Sequence, residues 1–251
     1  MFKHDVVHRG IGYSASVFLL LFVAGCSGAR VVEKFDHRPL IVIQPSHQND
    51  TGRDFNEALV CNAIADAVLA APSDRIQMKK VWSYNEPGLH HAQQGSNTKR
   101  SHTVDVDSGK ISGYAFELQE SNALRPDVFV AIHNNGGTRR DACWGFVHEG
   151  DSREEANRKL AALLVKAVCK ASGLQNAGVH GDSEPNRNDY RCATTGKLAF
   201  YSLDENVNVA PYRVLLEIGD NAVSRALLVD PNVQEAIGKA IKSVLLEQCT
   251  P

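Results

Sequence analysis

An α/β fold is what this sequence predicts: one domain with a twisted, largely parallel sheet and helices on both faces. Two patterns carry that expectation. The runs "LIVI" (40–43), "VFVAI" (128–132) and "VLLEIG" (214–219) are apolar without polar alternation, as in strands covered on both faces. Segments with helical spacing lie between and after them, and strands alternating with helices build parallel sheets.

Taken in order, "PLIVIQPSH" (Pro39 to His47) opens with the first buried strand. Asp54 to Ala71 follows with apolar residues at 59, 60, 63, 64, 67 and 68, the spacing of an amphipathic helix. "IQMKKVWSY" reads as a second strand. Asn85 to Thr103 is polar and aperiodic, and "TVDVDSGKIS" alternates weakly around Ser108-Gly109, as a small hairpin does. "GYAFELQESNAL" reads as a helix and "DVFVAIH" as the next buried strand. Ser152 to Gly173 is strongly amphipathic, with serine placed as its cap and glycine as its stop. "RVLLEIG" is a third buried strand, and "NVQEAIGKAIKSVLLEQC" a closing helix. This domain is expected over residues 40–251.

The bulk composition excludes some functions. A net charge of −2 over 251 residues gives no electrostatic case for nucleic acid. Five cysteines remain after Cys26, an odd number with no C-x-x-C pair, which argues against a cysteine-based zinc site.

The first 25 residues read as an export signal: Lys3 and Arg9, then the short apolar run Val17 to Ala24, then small residues. The run is shorter than the roughly 20 residues a spanning helix needs. "VAGC" (Val23 to Cys26) resembles the lipobox of bacterial lipoproteins. That resemblance implies lipid attachment at Cys26, a membrane anchor, a tether over 26–39 and residence in the cell envelope.

Three apolar strands end in, or carry, a group that binds metal or moves protons: His47, His133 and Glu217. Ligands in open α/β sheets bind beyond the carboxyl ends of strands. Singly, each histidine also fits a hydrogen-bonded structural role, whereas a carboxylate inside an apolar strand is costly unless paired. Glu57, on the first turn of the following helix, is a nearby carboxylate that completes a two-histidine, one-carboxylate set, a common arrangement for catalytic zinc. It equally fits a capping box with Asp54 as N-cap.

The segments "IVIQPSH", "NEALVCNAIADAVL", "PDVFVAIHNNGG" and "YRVLLEIGDN" resemble, in order and approximate spacing, the type 3 zinc-dependent N-acetylmuramoyl-L-alanine amidases of bacterial cell-wall turnover. The resemblance implies one Zn2+ held by His47, Glu57 and His133, Glu217 as acid/base, and peptidoglycan as substrate. It extends to a substrate contact at His180, which follows "NAGV", and leaves room for a protein activator; Asn134 and Asn135 either orient His133, contact the sugar of the substrate or form the turn. The chain departs from the family's usual "DPGHGG-x-D-x-G" in reading "QPSHQNDTG", and the step from His47 to Glu57 is trimmed. The segments 83–113 and 177–197 match least and are expected to shape the substrate groove. A stem-peptide zinc carboxypeptidase, with Arg187, Arg191 or Arg213 holding a terminal carboxylate, and a non-catalytic peptidoglycan-binding lipoprotein are the alternatives.

Overall fold

The structure is a computed structural model that describes residues 30–48, 55–84, 104–105, 110–111, 113–183, 190–192 and 195–250. The export signal, Cys26 and Asn85 to Thr103 lie outside the described residues, as do Asp54 and Arg187.

In chain order the elements are β1 (Leu40–Pro45), α1 (Glu57–Leu69), β2 (Gln77–Lys80), the short pair β3 (Val104–Asp105) and β4 (Lys110–Ile111), α2 (Gly113–Leu124) and β5 (Val128–Asn135). There follow β6 (Ala142–Val147), α3 (Glu154–Ser172), β7 (Gln175–Gly181), the short pair β8 (Tyr190–Arg191) and β9 (Leu198–Ala199), and a 3-10 turn (Tyr201–Leu203). β10 (Tyr212–Asp220), α4 (Arg225–Leu228) and α5 (Pro231–Cys249) complete the chain.

Six strands form one sheet in the order β2-β1-β5-β10-β6-β7. All neighbouring pairs are parallel except β10 and β6, which run antiparallel. β3–β4 and β8–β9 are small antiparallel pairs, the first being the hairpin expected from the sequence.

Side-chain alternation along the strands divides the core in two. Ile41, Ile43, Val128, Val130, Ile132, Val214, Leu216 and Ile218 face α1, α3 and α5 in one cluster. Val42, Phe129, Ala131 and Leu215 face Leu118 of α2 and Leu203 on the other side. Because both faces are covered, these strands read as unbroken apolar runs. Gly238 permits the closest helix contact: a Cβ there would lie 2.4 Å from the Ala67 Cβ and 2.8 Å from the Ile64 carbonyl.

Several local expectations change. β6 ("ACWGFV") and β7 ("QNAGVHG") are strands that the sequence pattern does not mark, so 177–181 is sheet and not loop. α1 starts at Glu57 with Asn56 as its cap, whose side chain accepts from the Leu59 N–H at 3.1 Å. Glu57 is thus the first helical residue and not the third position of a capping box. α3 is not capped by serine: Arg153 holds the cap position without a side-chain bond, and Ser152 donates to Glu205. Gly173 does stop the helix, in the left-handed conformation (φ 83°).

The fold also takes in residues before 40. Val32 is buried, the Val31 N–H donates to Gln248 Oε1 at 3.0 Å, and the Glu33 N–H donates to the Tyr212 hydroxyl at 2.8 Å. Apolar side chains in this segment have a core to join, so residues 31–35 belong to the folded domain. Among the described residues no helix is long and apolar enough to cross a membrane.

Candidate active site

Strand polarity brings the expected groups to one end of the sheet. β1, β5 and β10 run parallel side by side, so the loop after β1 and the ends of β5 and β10 emerge together. His133 and Glu217 are direct register partners on adjacent strands. The Ser46 N–H donates to the Ile132 carbonyl at 2.8 Å, which seats His47 beside the end of β5. The Trp82 indole N–H fixes the Ser46 carbonyl at 2.9 Å, and the Ala58 N–H donates to the Gln48 carbonyl at 3.0 Å. That last bond docks the start of α1 against the His47 loop and delivers Glu57.

Within this end His47 is fully buried, with Glu57 at 2% exposure and His133 at 7%. Glu57 Oε1 lies 3.4 Å from His133 Nδ1. Glu217 is half-buried between the strands that carry His133 and Trp144. The Tyr114 ring, from the first turn of α2, packs against both imidazoles, with centroids 3.6 Å from His47 and 5.7 Å from His133. His47, Glu57 and His133 therefore share one pocket without collapsing into a tight trio. Among the described residues, a three-ligand group with all donor atoms within 4.8 Å of one another forms elsewhere, at His148, Cys192 and Asp204.

Charge in the pocket is one-sided. Burial alone would lower the His133 pKa, but the Glu57 carboxylate, then Glu217 and Glu117, hold it above the usual imidazole value. Burial and the Glu57 charge push the Tyr114 phenol well up, and burial with Glu57 and Glu217 does the same to the Cys61 thiol. Carboxylates gathered around two imidazoles make a pocket that attracts a cation.

Glu117 is the residue that sequence reasoning missed. It is buried on α2, where Oε1 accepts the Ser83 N–H at 2.7 Å and the Ser83 hydroxyl at 2.8 Å, and Oε2 accepts the Gln44 amide at 2.8 Å. Both oxygens lie 3.3 Å from His47 Nδ1. This directs Nδ1 of His47 toward a carboxylate, an orientation also found in metal-binding histidines. The available signal was an acidic residue on the apolar face of "GYAFELQE".

Asn134 points away from the open site. Its amide donates to the Ile218 carbonyl at 2.7 Å and its oxygen accepts from the Cys61 thiol at 3.4 Å, which makes it a tie between β5, β10 and α1. Asn135 is half-buried at the strand end, its carbonyl accepting the Asn221 N–H at 2.8 Å. His180 is exposed on edge strand β7, two strands from Glu217, with its ring against Phe146 and Nε2 2.9 Å from the Ala177 carbonyl. The structure does not bring it to His133. β7 ends at the opposite end of the sheet, so the segment that follows it starts away from the groove it was expected to shape. Arg213 is buried and bound to Asp151 and the Leu203 carbonyl, which removes it as a substrate-carboxylate holder.

Groups able to bind metal and transfer protons, set beyond the carboxyl ends of parallel strands, define an enzyme of the open α/β class. The chain belongs to the N-acetylmuramoyl-L-alanine amidase family: the family model of that description, Amidase_3, matches residues 93–247, more than half the chain. The match includes His133 and Glu217 and begins after His47 and Glu57. No curated protein sequence matches the chain.

Solved structures share the fold at low identity. The catalytic domain of CwlV, an amidase from Bacillus (Paenibacillus) polymyxa var. colistinus, is 17% identical with a TM-score of 0.55, over 82% of this chain and 96% of that one. The amidase AmiC2 of Nostoc punctiforme is 17% identical with a TM-score of 0.54, over 84% and 96%. The CwlD amidase of Clostridioides difficile, solved with the GerS lipoprotein, is 16% identical with a TM-score of 0.55, over 83% and 96%.

Proposed function

We propose that this amidase hydrolyses the bond between the lactyl group of N-acetylmuramic acid and the first L-alanine of the peptidoglycan stem, with one Zn2+ held by His47, His133 and Glu57. The observation that carries the reading is the pairing of His133 with Glu217 at the end of adjacent parallel strands, with His47 and Glu57 in the same pocket. The donor set fits zinc: two imidazoles and a carboxylate, with a second carboxylate, Glu117, on the far nitrogen of His47.

When bound, zinc lowers the pKa of water toward about 7 and polarises the scissile carbonyl. Glu217, half-buried and adjacent to His133, takes the proton from the attacking water and passes it to the departing alanine nitrogen. Glu117 keeps His47 in one tautomer and orientation. Tyr114 stays protonated and walls the pocket beside the imidazoles. Asn134 fixes the separation of β5 from β10, and so the distance between His133 and Glu217.

An export signal over 1–25 and lipidation at Cys26 would place the enzyme at a membrane facing peptidoglycan, and Cys26→Ala would release it from the membrane fraction. The activity test is digestion of purified peptidoglycan. Intact stem peptides with a new L-alanine amino terminus are expected, whereas free D-alanine would indicate the carboxypeptidase. Glu217→Gln is expected to lose about 10²- to 10⁴-fold in turnover, the usual worth of a placed acid/base, while keeping its zinc. Full activity in that variant refutes the mechanism.

A further inference from the structure

At the end of the sheet away from His133, four segments distant in sequence converge. β6 is antiparallel to β10, so His148, just after β6, lies beside the start of β10. Asp182 follows β7, Cys192 follows β8, and Asp204 follows the 3-10 turn. His148, Cys192, Asp182 and Asp204 are all buried, at 0–3% exposure.

The donor atoms are arranged for a cation. Cys192 Sγ is 3.5 Å from His148 Nε2, and an Asp204 oxygen completes a group with all three ligand atoms within 4.8 Å of one another. A tetrahedral zinc with ordinary Zn–S and Zn–N bonds separates those two ligand atoms by about 3.5 Å. The other nitrogen, Nδ1, lies 2.8 Å from Asp182 Oδ2, which also accepts the Phe200 N–H at 3.1 Å. That is the carboxylate–histidine relay that orients a metal ligand. Asp204 Oδ1 accepts the Asn206 N–H at 2.8 Å, and the carboxylate also faces the Cys192 thiol.

We propose that His148, Cys192 and Asp204 bind a second zinc ion, distinct from the one at the active site, with a structural role. The thiolate and imidazole select zinc over magnesium or calcium. The ion clamps the β8–β9 hairpin and the 3-10 turn to the ends of β6 and β7. The Cys192–His148–Asp182 order also matches an activated thiol, but complete burial of Cys192 denies it a substrate. The site does not depend on the amidase reading.

The test uses the full chain, purified in detergent, stripped of metal and reloaded with Zn2+ or Co2+. Two zinc ions per chain are expected in the wild type and one in both Cys192→Ser and His133→Ala. Co2+ should give a thiolate-to-cobalt charge-transfer band in the wild type, in His133→Ala and in Cys61→Ser, but not in Cys192→Ser. The Cys61 control matters because that thiol borders the active site. Zinc content unchanged by Cys192→Ser, or a band that survives Cys192→Ser, overturns the proposal. Should Cys192→Ser fail to fold, thiol labelling of the wild type decides: Zn2+ is expected to protect Cys192 from modification, and labelling unaffected by Zn2+ refutes the site.

Discussion

Glu117 offers the sharpest test of how the active site is held. Its carboxylate meets Ser83 N–H, Ser83 hydroxyl, Gln44 amide and His47 Nδ1 while almost wholly buried. Glu117→Ala leaves two obligatory buried donors, the Ser83 N–H and the Gln44 amide, with no acceptor. At about 1–3 kcal/mol for each, stability should fall by about 2–6 kcal/mol, a loss that calorimetry resolves readily. Glu117→Gln separates structure from electrostatics. Its new NH2 group would face a donor, but Gln44 can turn its amide so that Oε1, which lacks a partner, accepts instead. The fold should then lose only about 1 kcal/mol, one ordinary hydrogen bond. His47 loses a full negative charge behind Nδ1, and changes to such supporting groups typically weaken metal affinity or activity by about 10- to 100-fold. The assay is Zn2+ competition against a chelator of known affinity, paired with a thermal melt. Wild-type zinc affinity in a folded Glu117→Gln protein would refute the orienting role.

Three further outcomes follow from the same region. Asp220 accepts the Thr138 hydroxyl and the N–H groups of Arg139, Ala222 and Val223. Burial would raise its pKa, yet these bonds, led by Thr138, hold it below the ordinary carboxylate value. A depressed folded pKa contributes stability above the unfolded value of about 3.9, and that contribution disappears as pH falls through the folded one. Asp220→Asn should therefore cost about 1.5–3 kcal/mol at neutral pH, with the gap closing in acid; a pH-independent gap in denaturant melts would contradict this. Gly219 turns the end of β10 at φ 70°, where a Cβ would sit 2.8 Å from that of Ser224. Gly219→Ala should cost about 1–3 kcal/mol for the strained backbone and lower turnover by displacing Glu217, so wild-type kinetics and stability together would exclude the constraint. Chelation should abolish peptidoglycan hydrolysis and added Zn2+ restore it; activity that persists in protein shown to be metal-free would remove zinc from the reaction.

Much of the parallel half of the molecule is legible in the amino-acid sequence. "LIVIQP", "VFVAIH" and "RVLLEIG" announce doubly covered strands through their apolar continuity. Their polar ends announce a site because strand ends in this fold class open onto ligands. β6 and β7 are not legible: Gly145 and Cys143 dilute one, and the other is an edge strand with three exposed positions that reads as loop. Their pairing depends on neighbours far along the chain, which local propensity does not encode.

The sequence by itself thus determined the α/β class, the order of its parallel strands and helices, and the residues His47, His133 and Glu217 as candidates. Tertiary structure alone decided that Glu117 stands behind His47, that Asn134 turns inward, and that Arg213 is spent on Asp151 and the Leu203 carbonyl. It also decided that β6 runs against β10, which carries His148 to the opposite end of the sheet and into contact with Cys192. Periodicity records which face of an element is buried. Which buried groups meet depends on strand direction and register, and those are fixed only when the whole sheet closes.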